Sequence, residues 1–259
     1  MNSIIVASDL SERSRQAVRR GVNLAADLNA KLTVLHVVDD AMPTTLSNQV
    51  QREAAGTLSD EVATDADGRK IDHEIKVVVG DTIEEINALS QSLTADLLIV
   101  GLHRRRVFLD HIKETTMEHL IRSSRLPVLL VANKADKAYA RVLGGVDLSR
   151  VCASALHKIR MIAPQAELTL FHAHEVSFRK EAERDYATWK AVSDLPGDLP
   201  DPVFVEAKAR DALHEVMDKG RYDLLAIGAH TRSNAGRYIL GGFSAGLIRN
   251  PPCDLLLAK

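Results

Sequence analysis

The sequence predicts an α/β fold in which two tandem open-sheet domains are each doubly wound around a five-stranded parallel sheet. Short apolar runs alternate with amphipathic, helix-favouring stretches, a pattern typical of parallel strands that helices cover on both faces. The segments 95–132 and 222–258 repeat each other, with Asp96, Gly101 and Arg122 aligned without a gap to Asp223, Gly228 and Arg249, which indicates two copies of one folding unit. The chain has 259 residues, enough for two domains that each bury a core of their own.

The first half opens with an apolar strand over residues 3–7 that ends at Asp9, and Ser11 then introduces a helix. The apolar positions of that helix recur at one-face spacing, at Val18, Val22, Ala25 and Leu28. The elements predicted after it are a strand over 32–38, a helix over 44–67 with Leu46, Val50, Ala54 and Leu58 on one side, a strand over 75–79, a helix over 82–93, a strand over 97–100, a helix over 115–123 and a strand over 128–131.

The second half repeats this order after a short polar linker over residues 133–140, so we place the two domains at 1–134 and 139–259. A strand over 141–146 ends at Asp147. The elements predicted after it are a helix with Val151, Ala155, Ile159 and Ile162 on one face, a strand over 168–173, a helix over 178–192 with Phe178, Ala182, Tyr186 and Trp189 on one face, a loop over 194–202 and strands over 203–206, 224–227 and 254–257.

Composition and charge argue against several classes of protein. The net charge of −2 provides no basic field for nucleic acid or membrane, and an aromatic content of 4% argues against a surface that stacks single-stranded bases. The apolar runs are too short to span a membrane, and the first residues lack the pattern of a signal peptide, so we expect a cytoplasmic protein. Cys152 and Cys253 have no metal or redox spacing and are expected in the core.

Ligands of open parallel sheets bind beyond the carboxyl ends of the strands, where the winding reverses. Asp9 and Asp147 follow the first strand of each half, and Gly101 and Gly228 end the fourth. The positions in this crevice are therefore the candidate site residues.

The second-half loop is the stronger candidate for an anion site. Gly228 leaves the fourth strand, and Gly241 and Gly242 open the next helix. Unpaired backbone N–H groups at a helix start attract phosphate, and glycines let the phosphate approach the backbone. The alternative is that the two glycines only form a tight turn.

Several segments of both halves match one known family. They are Ile4 to Asp9 with Ser11, Leu32 to Val38, Ala95 to His103, Arg122 with Pro127 to Val131, Val146-Asp147, Asp223 to His230 and Gly241 to Arg249. Together they resemble the universal stress protein family over nearly the whole of both halves, as a tandem member. The resemblance implies a Rossmann-like, adenine-nucleotide-alpha-hydrolase-like fold and a role in stress response.

Members of that family that bind ATP resemble one another at a G-x2-G-x9-G-[ST] pattern. Carried over to the second half, the pattern matches Gly228 and Gly241, while Thr231 replaces its second glycine. Gly242 replaces the hydroxyl residue, with Ser244 as a possible substitute. The resemblance places Asp147 near the nucleoside, although Asp147 could equally be a cap or turn residue. His230 is repeated at the position of His103 and could contact a ligand, although loop histidines usually face water.

The first half departs further from the pattern. Gly101 matches, but Arg104 and Glu114 replace the second and third glycines, and Thr115 fills the hydroxyl position. Glu114 would place a carboxylate where phosphate is expected, and like charges repel. The arginines at 104–106 could compensate or bind another anion, although such a run is more often a solvated loop. We therefore interpret the first site as degenerate; its residues are Asp9, Gly101, Arg104, Glu114 and Thr115.

The resemblance favours a non-enzymatic stress-response protein that binds ATP, with Mg²⁺, or AMP in the second domain. One alternative is a scaffold without a nucleotide, with protein partners or another small ligand; another is a slow ATPase, disfavoured because no residue is evidently placed to orient water. Pairing of the two domains within the chain, and a homodimer, are further expectations. His172 and His174 share a strand face and could form half of a metal site, but lack a spaced partner.

Overall fold

The computed structural model describes residues 1–102, 116–132, 134–175, 178–229, 231–234, 237–240 and 242–259. The chain forms two compact units, unit 1 at Met1–Lys137 and unit 2 at Ala138–Lys259. Across these ranges, no helix combines the length and the apolar character that crossing a membrane requires.

Strands and helices alternate in both units, as predicted, apart from two additional short strands late in unit 2. The elements of unit 1 are β1 (Ser3–Ala7), α1 (Glu12–Leu28), β2 (Lys31–Val38), α2 (Thr44–Ala66), β3 (His73–Val79), α3 (Thr82–Ser92), β4 (Leu97–Gly101), α4 (Thr116–Ser123) and β5 (Val128–Val131). The elements of unit 2 are β6 (Arg141–Gly145), α5 (Arg150–Ile162), β7 (Glu167–His174), α6 (Arg179–Val192), β8 (Val203–Glu206), α7 (Ala209–Lys219), β9 (Leu224–Gly228), β10 (Thr231–Asn234), β11 (Arg237–Leu240), α8 (Gly242–Arg249) and β12 (Asp254–Ala258).

Each unit is built on five parallel strands in the same spatial order. Unit 1 has the order β3-β2-β1-β4-β5, and unit 2 has the matching order β8-β7-β6-β9-β12. The predicted α/β fold with five-stranded parallel sheets is therefore confirmed. In both units the winding reverses beside the first strand, between β1 and β4 and between β6 and β9. This reversal is where an open sheet of this kind forms a ligand crevice.

The central strands are buried because helices cover them, which explains their nearly continuous apolar sequence. Ile4, Ile5 and Val6 of β1 are fully buried, and so are Leu224 and Leu225 of β9. β-branched and aliphatic side chains pack well on such a pleated surface. Burying each of these side chains contributes about 1.5–3 kcal/mol.

One aspartate in each unit fixes the start of the first strand. Asp96 accepts hydrogen bonds at Oδ2 from the backbone N–H groups of Asn2, at 2.6 Å, and Ser3, at 3.2 Å. In unit 2, Asp223 accepts from Ala140 at 2.8 Å and Arg141 at 2.9 Å. The aligned aspartates of the repeat therefore have a structural role at the end of the sheet opposite the crevice.

Residues 135–137 of the predicted linker lie against α1. Asn23 donates a hydrogen bond to the carbonyl of Ala135 at 2.9 Å, and Arg20 donates to the carbonyl of Lys137 at 2.7 Å. Arg19 forms a 2.8 Å ion pair with Asp136. These contacts explain why unit 1 extends to Lys137.

Two side chains predicted to be buried in helices are exposed. Leu46 is 48% exposed, because the buried stripe of α2 runs through Ser47, Ala54 and Leu58 and Leu46 lies one residue off it. Phe178 is 54% exposed. It is the N-cap of α6 rather than its first turn, so the helical spacing from Ala182 does not extend to it.

After β9, two short strands lie in a segment predicted to be a loop. β10 and β11 pair antiparallel, with Thr231 opposite Leu240 and Asn234 opposite Arg237. Each strand has only four residues, too short for a clear alternating pattern in the sequence.

Candidate functional site

In unit 2, a tight turn follows the first strand at the edge of the crevice. Asp147 is exposed, and its Oδ1 accepts a hydrogen bond from the backbone N–H of Ser149 at 3.1 Å. Leu148 has a φ of 61°, the left-handed region that costs energy for a residue with a side chain. Ser149 then caps α5 by accepting from the N–H of Cys152 at 3.0 Å. Asp147 is therefore a turn residue, and the helix cap is Ser149.

Unit 1 contains the same turn. Asp9 Oδ1 accepts from the N–H of Ser11 at 3.0 Å, and Leu10 has a φ of 62°. Ser11 caps α1 by accepting from the N–H of Ser14. The Asp-Leu-Ser sequence thus forms one strained turn twice, with the carboxylate at the edge of the crevice each time.

A histidine from the second strand of each unit completes this turn. Nδ1 of His172 lies 2.8 Å from the carbonyl oxygen of Val146, the residue before Asp147. Nδ1 of His36 lies 2.8 Å from the carbonyl oxygen of Ser8, the residue before Asp9. This pair was not predicted, although both histidines stand at the same position of aligned strands, five residues after the first residue of β2 and of β7.

The glycine that ends the fourth strand lies against the first turn of the helix that follows the first strand in both units, more tightly in unit 1 than in unit 2. A Cβ atom on Gly228 would lie 3.3 Å from the backbone nitrogen of Cys152, in the first turn of α5. A Cβ atom on Gly101 would lie 2.6 Å from the carbonyl oxygen of Arg13, in the first turn of α1. The end of β9 therefore meets the helix turn that directly follows the Asp147 turn, and the end of β4 meets the helix turn that follows the Asp9 turn.

The start of α8 forms the other end of the candidate site in unit 2. Gly242 is the first residue of this helix, and a Cβ atom there would meet nothing within 4 Å. Ser244 is 6% exposed, in the first turn. The N–H groups of a first turn have no partner inside the helix, so they suit an anion. Thr231 is the first residue of β10, whereas His230 and Gly241 lie outside the described residues.

The corresponding loop of unit 1, residues 103–115, lies outside the described residues. This range includes Arg104, Glu114 and Thr115. The helix predicted from residue 115 is α4, which begins at Thr116.

His172 and His174 do not form a metal centre with other described residues. His172 uses Nδ1 for the carbonyl of Val146, and His174 uses Nδ1 for the carbonyl of Glu175 at 2.9 Å. In the part of the chain that the structure describes, no group of three or more metal-ligating side chains is close enough to hold an ion.

Both cysteines are buried, as predicted, and burial raises the pKa of Cys152 and of Cys253 to about 12. The thiolate is the reactive form, so at pH 8 each native thiol should react with iodoacetamide roughly a thousandfold more slowly than a free cysteine. We expect mass spectrometry to find both unmodified in the native protein and both modified in guanidinium chloride. Rapid labelling of either native thiol would contradict the packing around it.

The family model described as the universal stress protein family matches residues 1–132 and 138–259. The chain belongs to the universal stress protein family. Two copies of that family's unit account for the repeat in the sequence and for the matching strand orders.

This universal stress protein is similar to several individual proteins. Universal stress protein A homolog 1 of Coxiella burnetii (strain RSA 493 / Nine Mile phase I) is 29% identical over 111 residues, which cover 39% of this chain and 75% of that protein. The crystal structure of a universal stress protein from Archaeoglobus fulgidus DSM 4304 is 19% identical, with a TM-score of 0.76, and covers 100% of this chain and 98% of that one. A universal stress protein solved in complex with cAMP is 25% identical, with a TM-score of 0.41 over 50% of this chain and 95% of that one.

Proposed function

We propose that unit 2 of this universal stress protein binds an adenine nucleotide, ATP or AMP, and serves as a non-catalytic sensor or regulator in the stress response. The observation that supports it most is the contact of Gly228 with the first turn of α5. That contact holds the end of β9 against the start of the helix that follows the Asp147 turn, at the point where the sheet winding reverses.

The two ends of this crevice have the chemistry that a nucleotide needs. The exposed carboxylate of Asp147 is an acceptor for the ribose hydroxyls. The first turn of α8 offers backbone N–H groups and the positive end of the helix dipole to the phosphates, and Gly242 leaves the backbone open there. Thr231, Gly241 and Ser244 belong to the same proposed loop, and Mg²⁺ would accompany ATP.

For unit 1 we propose a site that has lost nucleotide binding. It keeps the Asp9 turn, but its loop has Glu114 where Gly241 stands in unit 2. A carboxylate at that position would repel phosphate. We therefore expect one nucleotide per chain.

Calorimetric titration of the full chain with ATP and with AMP tests the proposal, using Gly242→Glu and the control Gly242→Ala. Alanine keeps the N–H group and its Cβ enters open space, so we expect its affinity to stay within about threefold of wild type. Glutamate adds a negative charge at the helix start, and we expect at least a tenfold weaker Kd for ATP, about 1.4 kcal/mol.

Two results would contradict the proposal. Equal affinity in both variants would place the phosphates away from α8. No heat with either nucleotide at millimolar concentration, together with no shift in Tm, would favour the scaffold that binds no nucleotide, since a ligand well above its Kd must stabilise the fold.

A further inference from the structure

The side chain of His172 forms a hydrogen bond with Val146, the residue before the Asp147 turn. Its ring lies over the carboxyl end of β6, because Nδ1 is 2.8 Å from the carbonyl oxygen of Val146. Val146 is the last residue to pair with β7, through its N–H to the carbonyl of Phe171, before the chain leaves the sheet at Asp147. The imidazole thus binds the carbonyl group that this departure leaves without a strand partner.

This contact determines the tautomer of the neutral ring. A carbonyl oxygen only accepts hydrogen bonds, so Nδ1 must carry the proton. Nε2 is then an acceptor with an available lone pair. His172 is half-buried, and no described residue forms a hydrogen bond with its Nε2.

A second contact holds the ring in this orientation. Phe204 of β8 lies edge-on to His172, with ring centroids 5.7 Å apart at an interplanar angle of 73°. Phe204 in turn contacts Tyr186 of α6, at 5.9 Å between centroids. In unit 1 the residue paired with His36 is Val77, so the aromatic support belongs to unit 2 among the described residues.

We propose that His172 contacts the ligand in the unit 2 crevice, its Nε2 accepting a hydrogen bond from a hydroxyl or amino group of the nucleoside. The inference rests on the proposed nucleotide site and assigns it a residue for selecting the nucleoside rather than the phosphate. Asp147, two residues after the end of β6, and His172, on the neighbouring strand β7, would then both contact the nucleoside. Both are acceptors, so they favour a ligand with several N–H or O–H donors.

Two substitutions separate the functions of the two ring nitrogens. His172→Asn places an amide N–H near the position of Nδ1, so it keeps the bond to Val146 and loses the Nε2 acceptor. His172→Gln reaches further and places an amide oxygen near the position of Nε2. We expect His172→Asn to raise the Kd for AMP and for adenosine at least tenfold with an unchanged Tm, and His172→Gln to recover part of that loss. His36→Asn is the matched control and should leave both Kd values unchanged.

A second measurement does not depend on any variant. In protein labelled with ¹⁵N-histidine, saturating AMP should shift the Nε2 resonance of His172 and leave its Nδ1 resonance in place. An unchanged Kd in His172→Asn, or an unmoved Nε2 resonance in protein that binds AMP, overturns this inference and leaves the proposed function standing. No binding of AMP or ATP to the wild type overturns both.

Discussion

Gly101→Ala should lower the free energy of unfolding of unit 1 by about 2–3 kcal/mol, the upper part of the range for an added methyl group in a packed interior. The new Cβ would lie 2.6 Å from the carbonyl oxygen of Arg13 and 2.8 Å from the nitrogen of Ser14. Both are backbone atoms in the first turn of α1, so no side-chain rotation can relieve the contact. Urea unfolding followed by circular dichroism measures the loss, and hydrogen exchange followed by mass spectrometry assigns it to unit 1.

Gly228→Ala is the matched control, since the same repeat position is less crowded in unit 2. Its Cβ would lie 3.3 Å from the nearest atoms, and a shift of a few tenths of an ångström would relieve that contact. We expect less than about 1 kcal/mol of destabilisation. Equal losses for the two alanines would contradict the packing difference between the two units.

Asp65→Ala should also destabilise unit 1, by about 2–3 kcal/mol. The side chain of Asp65, on α2, is only 3% exposed. It accepts hydrogen bonds from Arg15 and from Nε of Arg19, the latter at 3.0 Å, which join α1 to α2. The hydrogen bond with Asp65 raises the pKa of the Arg15 guanidinium. Without the carboxylate, two guanidinium groups would lie close together beside an apolar helix interface.

The expected loss is smaller than the 3–5 kcal/mol typical of fully buried pairs, because the arginines can regain contact with water. Asp136→Ala is the control, since it removes another carboxylate from Arg19. Asp136 is 52% exposed at its side chain, so we expect a loss below about 1 kcal/mol. A larger effect at Asp136 than at Asp65, in the same urea experiment, would contradict this account.

The fold could be predicted because its causes are local in the sequence. Buried parallel strands need continuous apolar runs, and the repeat allowed the runs of one half to be checked against the other. Where a side chain's burial depends on where a helix begins, the sequence was less informative. In the sequence, Phe178 has the helical spacing of the buried residues of α6, but the helix begins after it and Phe178 is the exposed N-cap. Leu46 lies one residue off the buried stripe of α2.

The geometry of the candidate site could be predicted only in part, because its contacts join residues far apart in the chain. The positions of Asp147 and Gly228 follow from the strand order, as predicted. The bond from His172 to Val146 spans 26 residues and depends on where β6 leaves the sheet, so spacing suggested a metal pair with His174 instead. The close approach of Gly101 to Arg13 also requires the three-dimensional packing of β4 on α1.

Nucleotide binding in the second unit is tested most directly by amide chemical shifts of the full-length chain during titration with AMP. We expect shifts to concentrate at residues 146–149, 228–229 and 242–244, with saturation at one ligand per chain. The matching residues of unit 1, at 8–11 and 101–102, should stay unchanged. Shifts confined to unit 1, or none in either unit at millimolar AMP, would contradict the proposed site.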